Sequence, residues 1–392
     1  MASSNTPTRV AMVSGSSDAT RDGVADYVSH LVPALAEVGV QVQPIELSSL
    51  ASARRQVHRS APDLVHVQFA PSAYGFSLRP GWLPLLLGRC APLVTTVHEY
   101  GWWRPHGWLP DPLWRLAERH RWWDRETGRL VPGSAAVVVT NDGHAETVRA
   151  RFAEPVADVI PLAPNVSGQH AVRRSGGGGP VLAFFGYVHP VKGVRYLIEA
   201  VATLRARHPG VRLVVVGGFT SLALPEREAA RFREELLAIA RRCGVADRVE
   251  FTGYLPSERV TELLSTADIG VLPFTEGVTA KSGALLTLFS HRLPTVVTAP
   301  AEPDPALADG RQVRAVHRRR DGTALAEAID SVLTDPALRE RLAAEGARIA
   351  RDRTWSRVAD DHRALYERVL SGNRVQAPHR PRRGPAPPAR TR

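Results

Sequence analysis

Cysteines, long apolar runs and targeting signals are scarce in this chain of 392 residues. Its two cysteines, Cys90 and Cys243, show neither zinc-ligand spacing nor the density of a disulfide scaffold, so each is expected to pack as a small apolar residue. No apolar run approaches the roughly 20 residues that a membrane-spanning helix needs. The polar N-terminus, Met1 to Arg9, lacks an apolar signal region. These absences predict a cytosolic protein.

Acidic residues are fewer than basic ones, and the formal net charge is +11. Residues 372–392 contain six arginines and no acid, which leaves about +5 for the rest of the chain. This proline-rich tail is predicted to be disordered, either as a solvated tail or as a weak tether to nucleic acid or an anionic membrane. No helix-turn-helix, zinc-finger or single-strand-binding signature is present, so a nucleic-acid partner is not expected.

Apolar segments typical of strands alternate with amphipathic helical segments. The first helix is predicted from apolar residues spaced on one face between Val24 and Val38, and Gly39 ends it. This alternation predicts parallel sheets covered by helices on both faces. The predicted strands are 9–14, 40–47, 63–69, 93–98, 135–140, 156–161, 181–185, 211–216, 249–252, 268–273 and 295–298.

Four consecutive glycines interrupt the alternation and predict a flexible linker at 173–180, because glycine favours neither helix nor strand interiors. We therefore expect an α/β protein with two Rossmann-like domains, 1–172 and 181–353, that face a cleft. A last helix is predicted over 354–371, packing back on the N-terminal domain, and the disordered basic tail 372–392 follows it. Ligands of such sheets bind beyond the carboxyl ends of the strands.

The loop after strand 181–185 is the strongest candidate for binding a phosphate. It runs from Gly186 to Lys192 and Gly193, and an amphipathic helix follows. A glycine, a short loop and a lysine at the start of a helix bring backbone amides and a cation to an anion. The loop therefore indicates a phosphorylated or nucleotide-linked ligand.

The turn after the first strand, residues 14–23, excludes two common nucleotide-binding classes. It matches neither the G-x-G-x-x-G fingerprint of dinucleotide-binding proteins nor the phosphate loop that ends in Gly-Lys-Ser/Thr. A nicotinamide dehydrogenase and an ATPase are therefore not expected. Gly23 is either an ordinary turn glycine or a position where backbone amides approach a phosphate.

A second strand-to-helix loop in the C-terminal half carries further polar candidates. Ser282 and Gly283 can start the helix with N–H groups facing an anion. Glu276, just past the strand end, can accept hydrogen bonds from sugar hydroxyls, although a solvated loop acid is the alternative. Lys281 is either a ligand-binding cation or a surface one. Lys192 and Glu276 support each other, since both follow strands of the same half.

With these features the chain resembles the retaining, nucleotide-sugar-dependent glycosyltransferases of family 4, which have the two-domain GT-B fold. The resemblance covers most of residues 9–371, and its motifs are fairly specific only when taken together. The matching stretches are 23–27, 63–69, 96–99, 185–193, 273–277 and 294–298.

The resemblance implies roles for individual residues. Lys192 corresponds to the lysine that neutralises the departing donor diphosphate, and Glu276 to the first glutamate of a paired-glutamate motif near the donor sugar. His98 corresponds to the histidine that meets the transferred sugar or the acceptor, with a structural hydrogen bond as the alternative. The other expected donor contacts are Gly23, Gly186, His189, Lys281, Ser282 and Gly283. The expected acceptor contacts are Gln68, Glu99 and Trp102.

Two positions depart from the family pattern. Tyr187 stands where the family often has arginine, and His189 or a residue from elsewhere would supply the missing charge. Ala284 stands in place of the second glutamate, so a contact usually made to the ribose is absent or replaced. The family has no obligatory divalent cation, and no Asp-x-Asp is placed to bind one, so neither a metal nor a cofactor is expected. A donor-phosphate oxygen would take the proton of the attacking hydroxyl.

Tryptophans and arginines are interleaved between residues 102 and 125. An acceptor platform, a docking segment for an anionic membrane and ordinary helix packing are three interpretations of this cluster. The tryptophans are Trp102, Trp103, Trp108, Trp114, Trp122 and Trp123.

The expected partners are a nucleotide-sugar donor and a natural-product, lipid or saccharide acceptor. Two alternatives to a transferase remain: a GT-B nucleotide-sugar epimerase, and a nucleotide-sugar-binding protein with weakened catalysis, which the alanine at 284 would allow. The sequence does not identify the nucleotide base, the donor sugar or the acceptor, and it does not indicate the oligomeric state.

Overall fold

The structure, a computed structural model, describes residues 7–88, 90–103, 110–152, 157–168, 178–222 and 224–376. These residues form two six-stranded sheets, and every strand pair in the two sheets is parallel. The strands are β1 Thr8–Ser14, β2 Val40–Glu46, β3 Leu64–Phe69, β4 Leu93–Val97, β5 Ala136–Val139, β6 Ala157–Val159, β7 Val181–Phe185, β8 Arg212–Val216, β9 Val249–Gly253, β10 Ile269–Leu272, β11 Thr295–Thr298 and β12 Arg314–Val316.

Helices cover both sheets, as expected when both faces of a parallel sheet are apolar. They are α1 Gly23–Glu37, α2 Leu50–Ser60, α3 Leu83–Leu87, α4 Asp111–Arg119, α5 Leu130–Gly133, α6 Asp142–Arg151, α7 Val194–Leu204, α8 Glu226–Arg242, α9 Ser257–Thr266, α10 Gly283–Ser290, α11 Gly322–Thr334, α12 Pro336–Arg351 and α13 Trp355–Gln376. None of the helices among the described residues is both long and apolar enough to cross a membrane.

The order of the strands places the ligand-binding crevice of each sheet. The first sheet has the order β2-β1-β3-β4-β5-β6, and the second has the order β12-β11-β10-β7-β8-β9. Strand order therefore reverses between β1 and β3 and again between β7 and β10. Open parallel sheets bind ligands at such reversals, beyond the carboxyl ends of the strands. The loops that begin at Ser14 and at Phe185 both leave strands at these points.

The last helix, α13, belongs to the packing of the first sheet. Its residues Val358, Leu365 and Tyr366 are buried in one apolar cluster with Met12 of β1 and Leu31 of α1. The chain thus crosses from the second sheet back to the first, and the hydroxyl of Tyr366 on α13 lies 2.7 Å from Nδ1 of His66 on β3.

The α/β two-domain fold class predicted from the sequence is confirmed, and all eleven predicted strands are present within one or two residues. Strand β12 was not predicted, because three residues, Arg-Ala-Val, give no recognisable apolar run. Helix α13 extends past residue 371 to Gln376, so it includes the first part of the predicted tail. The rest of that tail, and linker residues 173–177, lie outside the described residues. Cys90 is exposed, contrary to the packing expected for it.

Candidate active site

The loop between β7 and α7 is shaped by its glycines. Gly186 and Gly193 adopt positive φ angles of 126° and 67°. A Cβ on Gly193 would lie 1.9 Å from the carbonyl oxygen of Pro273, so only glycine lets this loop pack against the loop after β10. The N–H of Thr275 donates to the carbonyl of Val191 at 2.9 Å and joins the two loops.

Lys192 lies at the start of α7, within these joined loops. Its side chain is half-buried, and its Nζ stands 3.8 Å from the centroid of the Phe274 ring. Burial lowers the pKa of Lys192 to about 8, and the carboxylate of Glu99 partly opposes that shift. The ammonium is therefore held at a fixed place where ring contact and poor solvation leave it few competing partners.

Glu276 follows β10 but does not project into an enclosed site. Its side chain is 73% exposed, and its Oε1 accepts a hydrogen bond from Nη2 of Arg320 at 3.0 Å. Arg319 lies 3.8 Å from the other carboxylate oxygen. Both arginines come from the loop between β12 and α11. Because strand β12 was not predicted from the sequence, these partners of Glu276 were not predicted either.

The start of α10 closes the other side of the loop after β7. The Oγ of Ser282 accepts from the N–H of Leu285 at 3.3 Å, which caps α10. A Cβ on Gly283 would meet no atom within 4 Å, so the space in front of this helix is open. The Cβ of Ala284 would lie 3.7 Å from a Cβ placed on Gly186. The two positions that frame this corner therefore carry no polar side chain.

Tyr187 contacts the N-terminal domain instead of supplying the charge of the arginine it replaces. Its hydroxyl donates to the carbonyl of Ala19, in the loop before α1, at 3.0 Å. Close by, the N–H of Leu222 donates to the carbonyl of Arg21 at 3.0 Å. Asp22 caps α1 through one carboxylate oxygen, while the other is buried without a hydrogen-bond partner among the described residues. Tyr187 thus joins the two domains.

His189 and Gly23 occupy the edges of these loops. The Nδ1 of His189 accepts from the N–H of Val191 at 3.3 Å, and burial together with Lys192 lowers the pKa of this histidine. His189 is therefore a neutral capping residue here, not a replacement cation. Gly23 begins α1, and a Cβ there would meet no atom within 4 Å.

His98, at the end of β4, is held by a buried chain of polar side chains. Its Nε2 lies 2.9 Å from Oε1 of Gln68, and Nε2 of Gln68 lies 3.3 Å from Nε2 of His66. The same His66 nitrogen is 2.7 Å from Oγ1 of Thr96, and its Nδ1 is 2.7 Å from the hydroxyl of Tyr366 on α13. The chain therefore links the end of β4 to the last helix.

The hydrogen-bond pattern fixes the protonation of His98. Because the amide oxygen of Gln68 faces His98, the Nε2 of His98 carries the proton and its Nδ1 is left as an acceptor. Burial lowers the pKa of His98 to about 3, and the nearby His144 and His362 act in the same direction. His98 is consequently neutral at physiological pH and can accept a hydrogen bond from a hydroxyl group.

Gln68 was predicted to contact the acceptor, but the structure buries it completely in the middle of the first sheet. Since every residue of β3 is buried, a side chain there can reach a ligand only through a neighbour. Gln68 therefore positions His98.

A cavity of about 500 Å³ lies between the domains, and one of its lining residues is Glu99, which follows His98 in sequence. Glu99 and Trp102 line it from the N-terminal domain, together with His144 of α6, and Lys281 lines it from the other domain. The Nζ of Lys281 is 3.4 Å from Nε2 of His144. Burial raises the pKa of Glu99, and the two lysines, Lys281 and Lys192, oppose that rise. The charges of both lysines thus act on the carboxyl group of Glu99.

The tryptophan cluster divides into buried and exposed rings. Trp103 and Trp114 are buried, whereas Trp102 and Trp122 are 58% and 57% exposed. Trp108 lies outside the described residues. Packing therefore accounts for Trp103 and Trp114. The exposed Trp102 is one of the residues that line the cavity.

These features agree with comparisons to known proteins. Residues 179–335, which contain Lys192, Glu276 and Ser282, match the family of group 1 glycosyl transferases. The likeness to that family is thus shown for residues 179–335, the greater part of the C-terminal domain. It is 29% identical over 298 residues to a glycogen synthase of Mycobacterium tuberculosis, covering 74% of this chain and 66% of that protein. It is 34% identical over 213 residues to a D-inositol 3-phosphate glycosyltransferase of Stackebrandtia nassauensis, covering 53% and 44%. The chain thus spans less than two thirds of either relative.

Solved structures support the GT-B fold of this chain. Sucrose-phosphate synthase from Thermosynechococcus elongatus superposes with a TM-score of 0.72 at 18% identity, covering 93% of this chain and all of that one. Anabaena HepE in complex with UDP and glucose gives 0.64 at 14% identity, covering 92% and 100%. At such identities the likeness establishes the fold alone.

The site residues that the sequence did not predict are those that hold other side chains in place. Phe274, His66 and Tyr366 hold Lys192 and His98, and His144 faces Lys281. Only Phe274 had a usable signal, since it is next to the candidate loop in sequence. Among the described residues, no group of three or more histidine, cysteine, aspartate or glutamate side chains is arranged to hold a metal ion.

Replacing Gln68 with leucine is expected to lower kcat about tenfold, the effect of losing one hydrogen bond that orients His98. The KM for the acceptor should change less, and the ¹⁵N signals of the His98 imidazole should show both tautomers instead of one. A matched control is Gln312→Leu, which removes another buried glutamine, whose Oε1 accepts from the N–H of Ala308. Equal kcat values in the wild type and in Gln68→Leu would show that His98 needs no such support.

Proposed function

We propose that this protein is a retaining glycosyltransferase of family 4 that moves a sugar from a nucleotide-diphosphate sugar to an acceptor hydroxyl without a metal. The observation that carries the proposal is Lys192, a half-buried cation fixed over Phe274 at the start of α7, where the second sheet reverses its strand order. A fixed cation and helix N–H groups in a water-poor cleft stabilise the charge that develops on a departing diphosphate.

The residues on the two sides of the cleft have separate roles in this proposal. Lys192 and the first N–H groups of α7 hold the diphosphate, and the open start of α10 at Gly283 gives a second set of N–H groups. The neutral His98 accepts a hydrogen bond from a sugar or acceptor hydroxyl through Nδ1. The acceptor attacks from the face that the diphosphate leaves, and a phosphate oxygen takes its proton. Retention of configuration rests on the resemblance to family 4.

The donor and acceptor classes have separate support. One structural neighbour, Anabaena HepE, forms a complex with UDP and glucose, which favours a nucleotide sugar as the donor here as well. The cavity beside Glu99 and Trp102 has the volume and the polar lining for a sugar-sized acceptor. Trp102 offers an aromatic face, and Glu99 offers oxygen atoms to hydroxyl groups.

The experiment that tests this function begins with a thermal-shift panel of UDP, GDP, dTDP and ADP. One of the four is expected to raise the melting temperature by mass action, and the Lys192→Ala variant should lose most of that rise. The sugar nucleotide of the same base is then incubated with saccharide, lipid and natural-product acceptors. A transferase releases nucleotide in proportion to the acceptor.

Two outcomes would contradict the proposed function. Conversion of the nucleotide sugar without any acceptor would indicate an epimerase. Binding of the nucleotide sugar without turnover across the acceptor panel would indicate a binding protein, which is compatible with the absence of a polar side chain at Ala284.

A further inference from the structure

One face of the N-terminal domain combines exposed arginines with exposed apolar side chains. Helix α2, the 3-10 turn Arg79–Trp82 and helix α3 contact one another and form it. We call it the basic apolar face and define it by its exposed members. They are Arg54, Arg55, Arg59, Arg79, Trp82, Leu85 and Leu86.

The charges of this face all have one sign. Residues 50–60 and 79–88 contain no aspartate or glutamate. None of the four guanidinium groups has a carboxylate partner among the described residues. Helix α8 of the other domain is different, because it mixes its exposed arginines with Glu226, Glu228, Glu234 and Glu235. A face whose four arginines have no carboxylate partner in the described part of the chain attracts an anionic partner.

The apolar side chains of the described residues are also unevenly distributed. Eleven large apolar side chains are exposed, and eight of these lie between Phe76 and Trp122. Within the basic apolar face, the Trp82 ring is held by an edge contact to Trp123, with ring centroids 4.8 Å apart. Trp82, Leu85 and Leu86 are 48%, 52% and 37% exposed. Such a concentration marks a surface that binds something apolar.

We propose that the basic apolar face docks on an anionic lipid bilayer. Guanidinium groups pair with lipid phosphates, while tryptophan and leucine side chains enter the boundary between headgroups and acyl chains. An anionic bilayer matches both the arginines and the apolar side chains of the face better than other partners do. A second copy of this chain, related by a two-fold axis, would bring four arginines against four arginines. Docking does not depend on the proposed catalytic activity.

Docking would place the acceptor cavity beside the bilayer. Phe76, three residues before the 3-10 turn, contacts the ring of Trp102 with centroids 6.4 Å apart, and Trp102 lines the cavity. An acceptor carried on a lipid could then reach the cleft without leaving the membrane surface.

Co-sedimentation of the full chain with phosphatidylcholine vesicles, with and without phosphatidylglycerol, tests the proposal. We expect binding that requires phosphatidylglycerol and weakens with salt. The variant Arg54→Gln/Arg55→Gln/Arg59→Gln should bind roughly a hundredfold more weakly, because each arginine near such a surface contributes about a factor of five. The matched control Arg227→Gln/Arg231→Gln/Arg242→Gln removes three exposed arginines of α8 and should bind like the wild type.

A second measurement reports the depth of the face in the bilayer and needs no arginine variant. Cys90 is exposed and lies three residues after the end of α3, where its N–H donates to the carbonyl of Leu87 at 3.3 Å. In a Cys243→Ser background, a polarity-sensitive dye on Cys90 should shift its emission to shorter wavelength when phosphatidylglycerol vesicles are added.

Three results would overturn the proposal. The first is unchanged binding of the triple variant at 54, 55 and 59, which would place the attraction elsewhere, for example in residues 377–392. The second is vesicle binding that leaves the emission of the Cys90 dye unshifted. The third is tighter binding of a DNA duplex than of the vesicles, with the same dependence on the three arginines, which would assign the face to nucleic acid.

Discussion

The Lys192→Ala variant is expected to turn over at least about a hundredfold more slowly than the wild type, the scale of losing one fixed group that stabilises developing charge. The Lys192 side chain is half-buried and contacts the Phe274 ring, so a cation from solvent cannot take its place in the variant. The loss should fall on kcat more than on the KM for the donor, since charge on the diphosphate grows as the sugar departs. Steady-state kinetics at saturating acceptor measure it.

The pH dependence of kcat/KM provides an independent check on the same residue. Burial lowers the pKa of Lys192 to about 8, so the free enzyme loses this cation as pH rises through that value. We therefore expect kcat/KM to fall above pH 8. A bound diphosphate favours the charged form, so the fall in kcat should lie at higher pH.

Lys192→Arg is the matched control, because a guanidinium stays charged across this range. Its kcat/KM should be lower than that of the wild type but should lack the alkaline fall. Near wild-type turnover of Lys192→Ala, or an alkaline fall retained in Lys192→Arg, would show that another group carries the diphosphate charge.

The fold could be predicted because each of its strands is marked by a short stretch of neighbouring residues in the sequence. Parallel strands buried on both faces are short apolar runs, and β7, with the sequence Val-Leu-Ala-Phe-Phe, is typical. The topology then follows from the need to cover both faces with helices. Strand β12 is an edge strand whose first residue is Arg314, so it lacks that local signal.

The candidate site could be predicted only where its residues are close together in sequence. The loop with Lys192 and the start of α10 at Ser282 are contiguous stretches with a chemical pattern of their own. The contacts that hold the key side chains are not local, as between His66 and Tyr366, which lie 300 residues apart in sequence. Likewise the pairing of Glu276 with Arg320 depends on how β12 packs beside β11.

The departures from the family pattern have a common structural consequence. Tyr187 joins the domains through Ala19, and Ala284 leaves a small apolar surface beside Gly186. Neither position carries charge, so in the proposed function the diphosphate is held by Lys192 and by the backbone amides around it. The backbone of this loop should therefore matter as much as the lysine itself.

That dependence on the backbone makes Gly193→Ala the second variant with a large expected effect. A Cβ at this position would stand 1.9 Å from the carbonyl oxygen of Pro273, so one of the two loops must move. Either movement shifts Lys192 away from Phe274 and tilts the first N–H groups of α7. We expect kcat/KM to fall by roughly a hundredfold, since misplacement by about 1 Å has that effect. Circular dichroism should show a folded protein.

The matched control, Gly310→Ala, separates this clash from ordinary backbone strain. Gly310 has φ of 69°, almost the 67° of Gly193, but a Cβ there would meet no atom within 4 Å. Both variants bear the cost of a left-handed alanine, roughly 1 kcal/mol of folding free energy. Only Gly193→Ala moves the loop between β7 and α7, so only it should lose activity and the nucleotide-dependent rise in melting temperature. Equal kcat/KM values in the two variants would mean that the loop accommodates the methyl group and that Lys192 acts without a fixed position.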